Sequence, residues 1–330
     1  MIGEDSELRA VAGMAIALTF PGQGSQTPGM GKSLAENFAV ARRVFEEVDD
    51  ALGQHLSQVI WEGPADELSL TVNTQPALMA VSLAVVRVLE SESDLDVAED
   101  VAFVAGHSLG EYSALAAAGA LTLADTARLL RVRGEAMQQA VPVGEGAMAA
   151  LLGLEFKEAS AIAQEAAQQD VCAAANDNGP GQVVVSGHVA AVNRAIAIAQ
   201  ARGAKRAILL PVSAPFHCPL MQPAAERMRA ALASVSMADP LVPVFANVLA
   251  APISSPADIR DALVAQVTGT VRWRESVTAM AQEGVDAFIE LGAGKVLTGL
   301  AKRIAPTARG LSVGAPDDIA GFLSILALAR

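Results

Sequence analysis

Short apolar runs alternate with longer stretches of helical spacing along most of the chain. Ala15 to Phe20 is an apolar run of strand length that stops at the turn signal Pro21-Gly22. Ser33 to Leu52 and Thr74 to Glu90 carry helical periodicity, with Pro76 expected in the first turn of the second helix, where a missing N–H is tolerated. An acidic connector, Asp94 to Asp100, leads to a second apolar run at 101–105. A glycine-bounded turn, a helix at 109–119 and an amphipathic helix from Leu123 to Ala140 follow.

From about residue 141 the pattern changes. Gly146 to Gly153 reads as a strand, Glu155 to Gln169 as a helix, Val171 to Ala175 and Gln182 to Ser186 as short strands, Val189 to Arg202 as a helix and Ala207 to Pro211 as a strand. Strand-helix-strand-strand-helix-strand is the split βαβ order. It predicts a ferredoxin-like α+β subdomain at 141–211, inserted into a larger α/β domain built from 14–140 plus 212–330. The downstream segments alternate again: Pro219 to Ser234, Val242 to Asn247, Ser255 to Gln266, Trp273 to Glu283, Ala287 to Leu291 and Val296 to Arg303. Strands separated by helices predict a mostly parallel sheet covered on both faces.

Composition narrows the function classes. The chain has 330 residues, of which 52% are hydrophobic, enough for a large core. The longest apolar run near the turn, Ala114 to Ala124, is too short to span a bilayer, so no membrane segment is expected. Residues 1–13 are polar and acidic, lack a signal-peptide pattern and read as an extension before Met14. Two cysteines, Cys172 and Cys218, make no disulfide framework and suit a reducing cytoplasm. A net charge of −13 argues against a nucleic-acid partner.

The chemistry gathers at Gly106-His107-Ser108-Leu109-Gly110-Glu111. An apolar strand, Gly-x-Ser-x-Gly and an alanine-rich helix form a nucleophile elbow, which lifts the Ser108 hydroxyl clear of the fold. Helix N-terminal amides there suit an oxyanion. The pentapeptide alone also fits a tight turn with a capping serine, so the rest of the chain must decide. Two phosphate-loop patterns fail. Gly31-Lys32-Ser33 lacks the glycine required at position 26, and Gly22-Gln23-Gly24 lacks a third glycine at Thr27. Of four histidines, His55 and His188 read as surface or capping residues, and His107 lies inside the elbow. His217 sits in the Pro-bounded loop Ser213 to Pro219, just after the inserted unit, where an active-site base is plausible. No histidine follows His217, which counts against the chain order of an ordinary α/β-hydrolase esterase.

Six motifs in order carry a resemblance. They are Phe20 to Gln26, Gly106 to Tyr112, Arg133-Gly134 with Met137-Gln138, Gly181 to Gly187, Phe216-His217-Cys218, and Gln266 before Val271-Arg272-Trp273. Over about residues 14 to 310 the chain resembles the bacterial malonyl-CoA:acyl carrier protein transacylases of type II fatty acid synthesis. The resemblance implies a hydrolase-like α/β domain with a ferredoxin-like insertion. It implies a malonyl ester on Ser108, with His217 as base and Gln266 orienting His217 through its backbone carbonyl. The N–H groups of Gln23 and Leu109 would form the oxyanion hole, and Arg133 would grip the malonyl carboxylate, with Phe216 and Gln182 also in the substrate site. The Phe216-His217 pair implies malonyl rather than methylmalonyl.

Arg133 has a physical warrant of its own, because malonyl differs from acetyl by one carboxylate that a buried guanidinium can hold with two parallel hydrogen bonds. Arg128 and Arg131 read as solvated surface charges. No metal or redox cofactor is implied, only CoA thioester as substrate, and a monomer is expected. An acidic carrier protein would need local positive charge on this acidic chain. Lys205-Arg206 and Lys302-Arg303 are the candidate docking pairs, one on each side of the cleft, although ordinary surface charge explains them equally well. The competing readings are an acyltransferase for another extender unit or a polyketide pathway, a serine thioesterase or esterase, and a non-catalytic carrier-binding scaffold.

Overall fold

A computed structural model describes residues 13–330. The expected extension lies outside the described residues apart from Gly13. From Met14 onward the chain is tied in, with the Met14 N–H donating to Leu328 O at 3.1 Å.

Six strands form the large sheet: β1 (Ile16–Phe20), β2 (Phe103–Gly106), β7 (Val244–Ala246), β8 (Ala251–Ile253), β9 (Ala287–Leu291) and β10 (Arg309–Val313). Their order is β10-β9-β1-β2-β7-β8. All neighbours run parallel except β8, which turns back along β7. The central strand β1 is buried at every position, which explains its apolar sequence, interrupted only by Thr19, whose hydroxyl donates to Ile289 O, since helices cover both faces of a parallel sheet. The longest helix, Thr71–Ser93, is also long and apolar enough to cross a membrane, yet 89% of its apolar window is buried inside the fold.

Two predicted helices differ in detail. The stretch at 33–52 is two helices, Lys32–Asn37 and Ala39–Leu52, broken at Phe38, whose extended backbone turns its ring against the core. The helix expected from Thr74 starts at Thr71, so Pro76 lies in its second turn rather than its first.

The remaining strands, β3 (Gly146–Leu152), β4 (Cys172–Gly179), β5 (Gln182–His188) and β6 (Arg206–Leu209), form an antiparallel sheet in the order β4-β5-β3-β6. Side chains alternate across it. Ala149, Leu151, Val183 and Val185 pack under the helices Phe156–Ala167 and Val189–Ala201, whereas Met148 and Val184 join the core of the larger layer. A parallel bridge between Asn176 and Val271 ties this sheet to the larger layer. The Asp177–Arg274 ion pair at 2.7 Å reinforces the same junction.

Candidate active site

The elbow is built by glycine. β2 ends at Gly106, and helix Gly110–Ala117 begins four residues later. A Cβ on Gly106 would lie 1.9 Å from the Gly110 backbone, and one on Gly110 would lie 2.2 Å from Phe20 O. No larger residue fits at either position. Ser108 takes φ 53°, the left-handed region that a side chain adopts only under strain. Its N–H is held by Asn247 Oδ1 at 2.8 Å. The N–H groups of Leu109 and Gln23 have no acceptor among the described residues, and both residues line the cavity above Ser108.

His217, also at positive φ (58°), reaches Ser108 from across the cavity. Its Nε2 lies 2.8 Å from Ser108 Oγ, and its Nδ1 lies 2.9 Å from the carbonyl oxygen of Gln266. That carbonyl can only accept, so Nδ1 carries the proton and Nε2 presents a lone pair to the hydroxyl. Burial, with the nearby Arg133 charge, pushes the imidazole down to about 3, so it stands neutral and basic-side-out. A serine, a neutral imidazole and an orienting acceptor are the parts that nucleophilic acyl transfer requires.

Arg133 is 1% exposed. Its Nη1 donates to Gln75 Oε1 at 2.7 Å. Its Nη2 donates to Gln266 Oε1 at 2.9 Å and to Ser108 Oγ at 3.1 Å. Its Nε, also buried, has no hydrogen-bond partner among the described residues. Gly134 explains how the arginine gets there. A Cβ at 134 would meet Val72 Cα at 2.7 Å, so only glycine lets helix Leu123–Gln139 press against the start of helix Thr71–Ser93. Burial pulls the guanidinium below the usual arginine range, and the fields of Tyr112 and Glu111 oppose that pull. A buried guanidinium beside a nucleophile, with no carboxylate ion-paired to it among the described residues, can bind the acid group of a dicarboxylic acyl chain.

These groups line a cavity of about 410 Å³ between the two sheets, walled by Met148, Val184, Leu210 and Phe216. Ser108, His217, Gln266, Gln23, Leu109, Arg133 and Phe216 come together there or directly behind it. Gln182 does not line the cavity. Its side-chain oxygen accepts from Arg303 Nη2, because Gln182 opens β5 two residues before the lining Val184 and so sits further out along the strand. Lys205 and Arg206 stand on or beside β6, and Lys302 and Arg303 close the helix Val296–Ile304. Arg131 is half-buried rather than a free surface charge, bonding Asn73 and Gln54. Arg128 stays exposed.

Sequence reasoning missed Gln75, Glu111 and Asn247. Gln75 was legible as a polar residue inside an apolar helix. Glu111 and Asn247 become partners only through contacts 136 residues apart.

The comparisons agree with this geometry. The family model described as acyl transferase domain matches residues 18–313. The chain is 46% identical to the malonyl CoA-acyl carrier protein transacylase of Escherichia coli K12, over 94% of this chain and 99% of that protein. It is equally identical to the Bacillus subtilis 168 protein of the same name, over 92% and 95% of the two chains. The crystal structure of acyl-carrier-protein-S-malonyltransferase from Bartonella henselae superposes with a TM-score of 0.93 at 57% identity, covering 95% of this chain and all of that one. A further neighbour, at 42% identity and TM-score 0.91 over 94% and 99% of the two chains, is a malonyl-transacylase in complex with its type II polyketide acyl-carrier protein. The elbow, the dyad and the match across nearly the whole chain together establish that this protein belongs to the acyl transferase domain family.

Proposed function

We infer that the chain transfers malonyl from malonyl-CoA to the phosphopantetheine thiol of acyl carrier protein, supplying fatty acid elongation. The observation that carries this reading is the buried Arg133 guanidinium 3.1 Å from Ser108 Oγ. The malonyl carboxyl carbon is three bonds from the ester oxygen, so an acyl group on Ser108 brings its free carboxylate to the guanidinium.

Ser108 Oγ attacks the thioester carbonyl while His217 Nε2 takes its proton. The Gln23 and Leu109 N–H groups receive the negative charge on the carbonyl oxygen. The tetrahedral intermediate collapses, the C–S bond breaks, and the His217 imidazolium protonates the departing CoA thiolate. The carrier thiol then gives its proton to His217, attacks the ester and regenerates Ser108. CoA enters as substrate, and no step uses a cofactor. All these groups come from one chain, which supports a functional monomer. The two free, buried cysteines suit a reducing cytoplasm.

In this reading 14–140 plus 212–330 form the transferase domain, and 141–211 form an inserted ferredoxin-like subdomain that supplies one cavity wall. The carrier docks at a basic rim. Arg206 pairs with Leu152, Leu152 pairs with Gln182, and Gln182 bonds Arg303, so the two basic pairs lie at one end of the antiparallel sheet rather than on opposite sides of the cleft as expected. Gln182 therefore belongs to that rim rather than to the acyl pocket.

Intact mass spectrometry after mixing with malonyl-CoA tests the reading. One malonyl adduct is expected on Ser108, lost in Ser108→Ala and discharged by carrier protein bearing its thiol. An adduct on another residue, or hydrolysis with no transfer to the carrier, would replace the transferase by a thioesterase or remove Ser108 from its role.

A further inference from the structure

A carboxylate that the reaction does not use lies beneath the site. Glu111 is 1% exposed, in the first turn of the helix that follows Ser108. One of its oxygens, Oε2, accepts from Gln266 Nε2 at 2.9 Å and from the Asn247 N–H at 3.0 Å. Both donors are themselves active-site supports. Gln266 Nε2 also donates to Ser108 O at 2.9 Å, and Asn247 Oδ1 holds the Ser108 N–H.

The two ends of the Gln266 amide have the same shape but opposite chemistry. Glu111 can only accept and Arg133 can only donate, so the NH₂ end must face the one and the oxygen the other. Without Glu111 the NH₂ end keeps only one short acceptor, Ser108 O at 2.9 Å, and its second N–H is left buried with no close partner. A carboxylate offers this acceptor on either oxygen, and a glutamine at 111 facing the same two donors would have to turn its oxygen to them; the acid stands there although burial pushes it up to about 7. This cost of burying an acid is unexplained by packing alone, since a neutral or apolar residue would avoid it.

We propose that Glu111 is a positioning residue for Arg133: by accepting Gln266 Nε2 it turns Gln266 Oε1 toward the guanidinium and holds the fork in line with the acyl group on Ser108. This rests on Arg133 binding the malonyl carboxylate. The chain of contacts is continuous, from Glu111 through Gln266 and Arg133 to Ser108, with every link between 2.9 and 3.1 Å.

The test is the ratio of malonyl-CoA to acetyl-CoA acylation rates in the full-length protein carrying Glu111→Ala or Glu111→Gln, with thermal melting as the check on folding. Glu111→Ala lowers the ratio by about tenfold, the size of one lost hydrogen-bond constraint on a charged group. Glu111→Gln, whose oxygen can face both donors, keeps it within about threefold. If Glu111→Ala slows both substrates by one common factor, Glu111 is structural and the proposal falls. It falls equally if Glu111→Gln is as unselective as Glu111→Ala, because the acceptor oxygen would then not be what matters.

Should Glu111→Ala fail to fold, Gln266→Met reads the contact from its other end, because the backbone carbonyl that orients His217 remains. It lowers the ratio by a similar factor, and adding Glu111→Leu, which removes the acceptor from a site that no longer has the amide to pair with it, lowers it no further; additive losses would overturn the proposal. Failure of the underlying reading is separate, since Arg133→Ala would then leave the ratio unchanged whatever happens at Glu111.

Discussion

Replacing Arg133 by alanine separates acid recognition from chemistry. The guanidinium is buried, and its Nη groups bond Gln75, Gln266 and Ser108. In the variant a malonyl carboxylate would enter a desolvated cavity with no cation to meet it. Breaking a buried, hydrogen-bonded charge pair costs about 3–5 kcal/mol. At about 1.4 kcal/mol per tenfold, that is a loss of roughly 10²-fold to several thousand-fold in malonyl acylation. Acetyl carries no carboxylate and escapes this term. It shares only the disturbance of Gln75 and Gln266, so the malonyl-to-acetyl ratio isolates the ion pair. Arg133→Lys keeps the charge but loses the planar fork and recovers part of the ratio. Single-turnover acylation, followed by CoA release and intact mass, measures both rates. A ratio that stays at its wild-type value in Arg133→Ala would refute acid recognition by this residue and leave it as a structural brace.

Three further outcomes follow from the geometry. His217→Ala should slow acylation by about 10²–10⁴-fold, the range for positioned proton transfer. His217 is held neutral to about pH 3 by burial and the Arg133 charge, so its base form persists through the pH range where an ordinary histidine protonates. In Glu111→Gln, which removes the other titration near 7, acylation by malonyl-CoA should show no acid limb around pH 6.5; such a limb would mean an exposed, ordinary imidazole. Reversing Lys205, Arg206, Lys302 and Arg303 to glutamate should raise KM for carrier protein and flatten its salt response, with CoA exchange nearly unchanged. Carrier kinetics at wild-type values in low salt would move the docking surface elsewhere.

What the sequence revealed and what it hid have physical reasons. β1, β2 and β9 were legible because buried parallel strands are written as mostly apolar runs between turn residues, the polar exceptions Thr19 and Glu290 being buried too. The antiparallel unit was legible from the order of its elements, which needs no knowledge of contacts. β8 and β10 were missed: β8 has only three residues and the exposed half of β10 reads as polar. The terminal helix Ile319–Ala329 was also missed, because it buries only Phe322, Ile325 and Leu326 and shows little contrast between its faces. The helix start at Thr71 rather than Thr74 is a tertiary effect, since Thr71 bonds Gln23 and Gln75 and so joins the site scaffold. At the site, Ser108 and Arg133 sit in local motifs that read directly. Glu111 and Asn247 act through partners more than a hundred residues away, and no spacing rule reaches that far.

Among the described residues only five other than glycine take positive φ, and two of them are Ser108 and His217. Each holds a left-handed backbone at about 1–2 kcal/mol relative to an ordinary conformation. Glycine would relieve that strain at both places. At His217 the buried ring and its bond to Gln266 O outweigh that relief, but at Ser108 the side chain is small, so directed evolution scored on heat resistance alone has a downhill path that erases the nucleophile, and a thermostabilised library of this protein would accumulate glycine at 108 unless turnover is selected alongside survival.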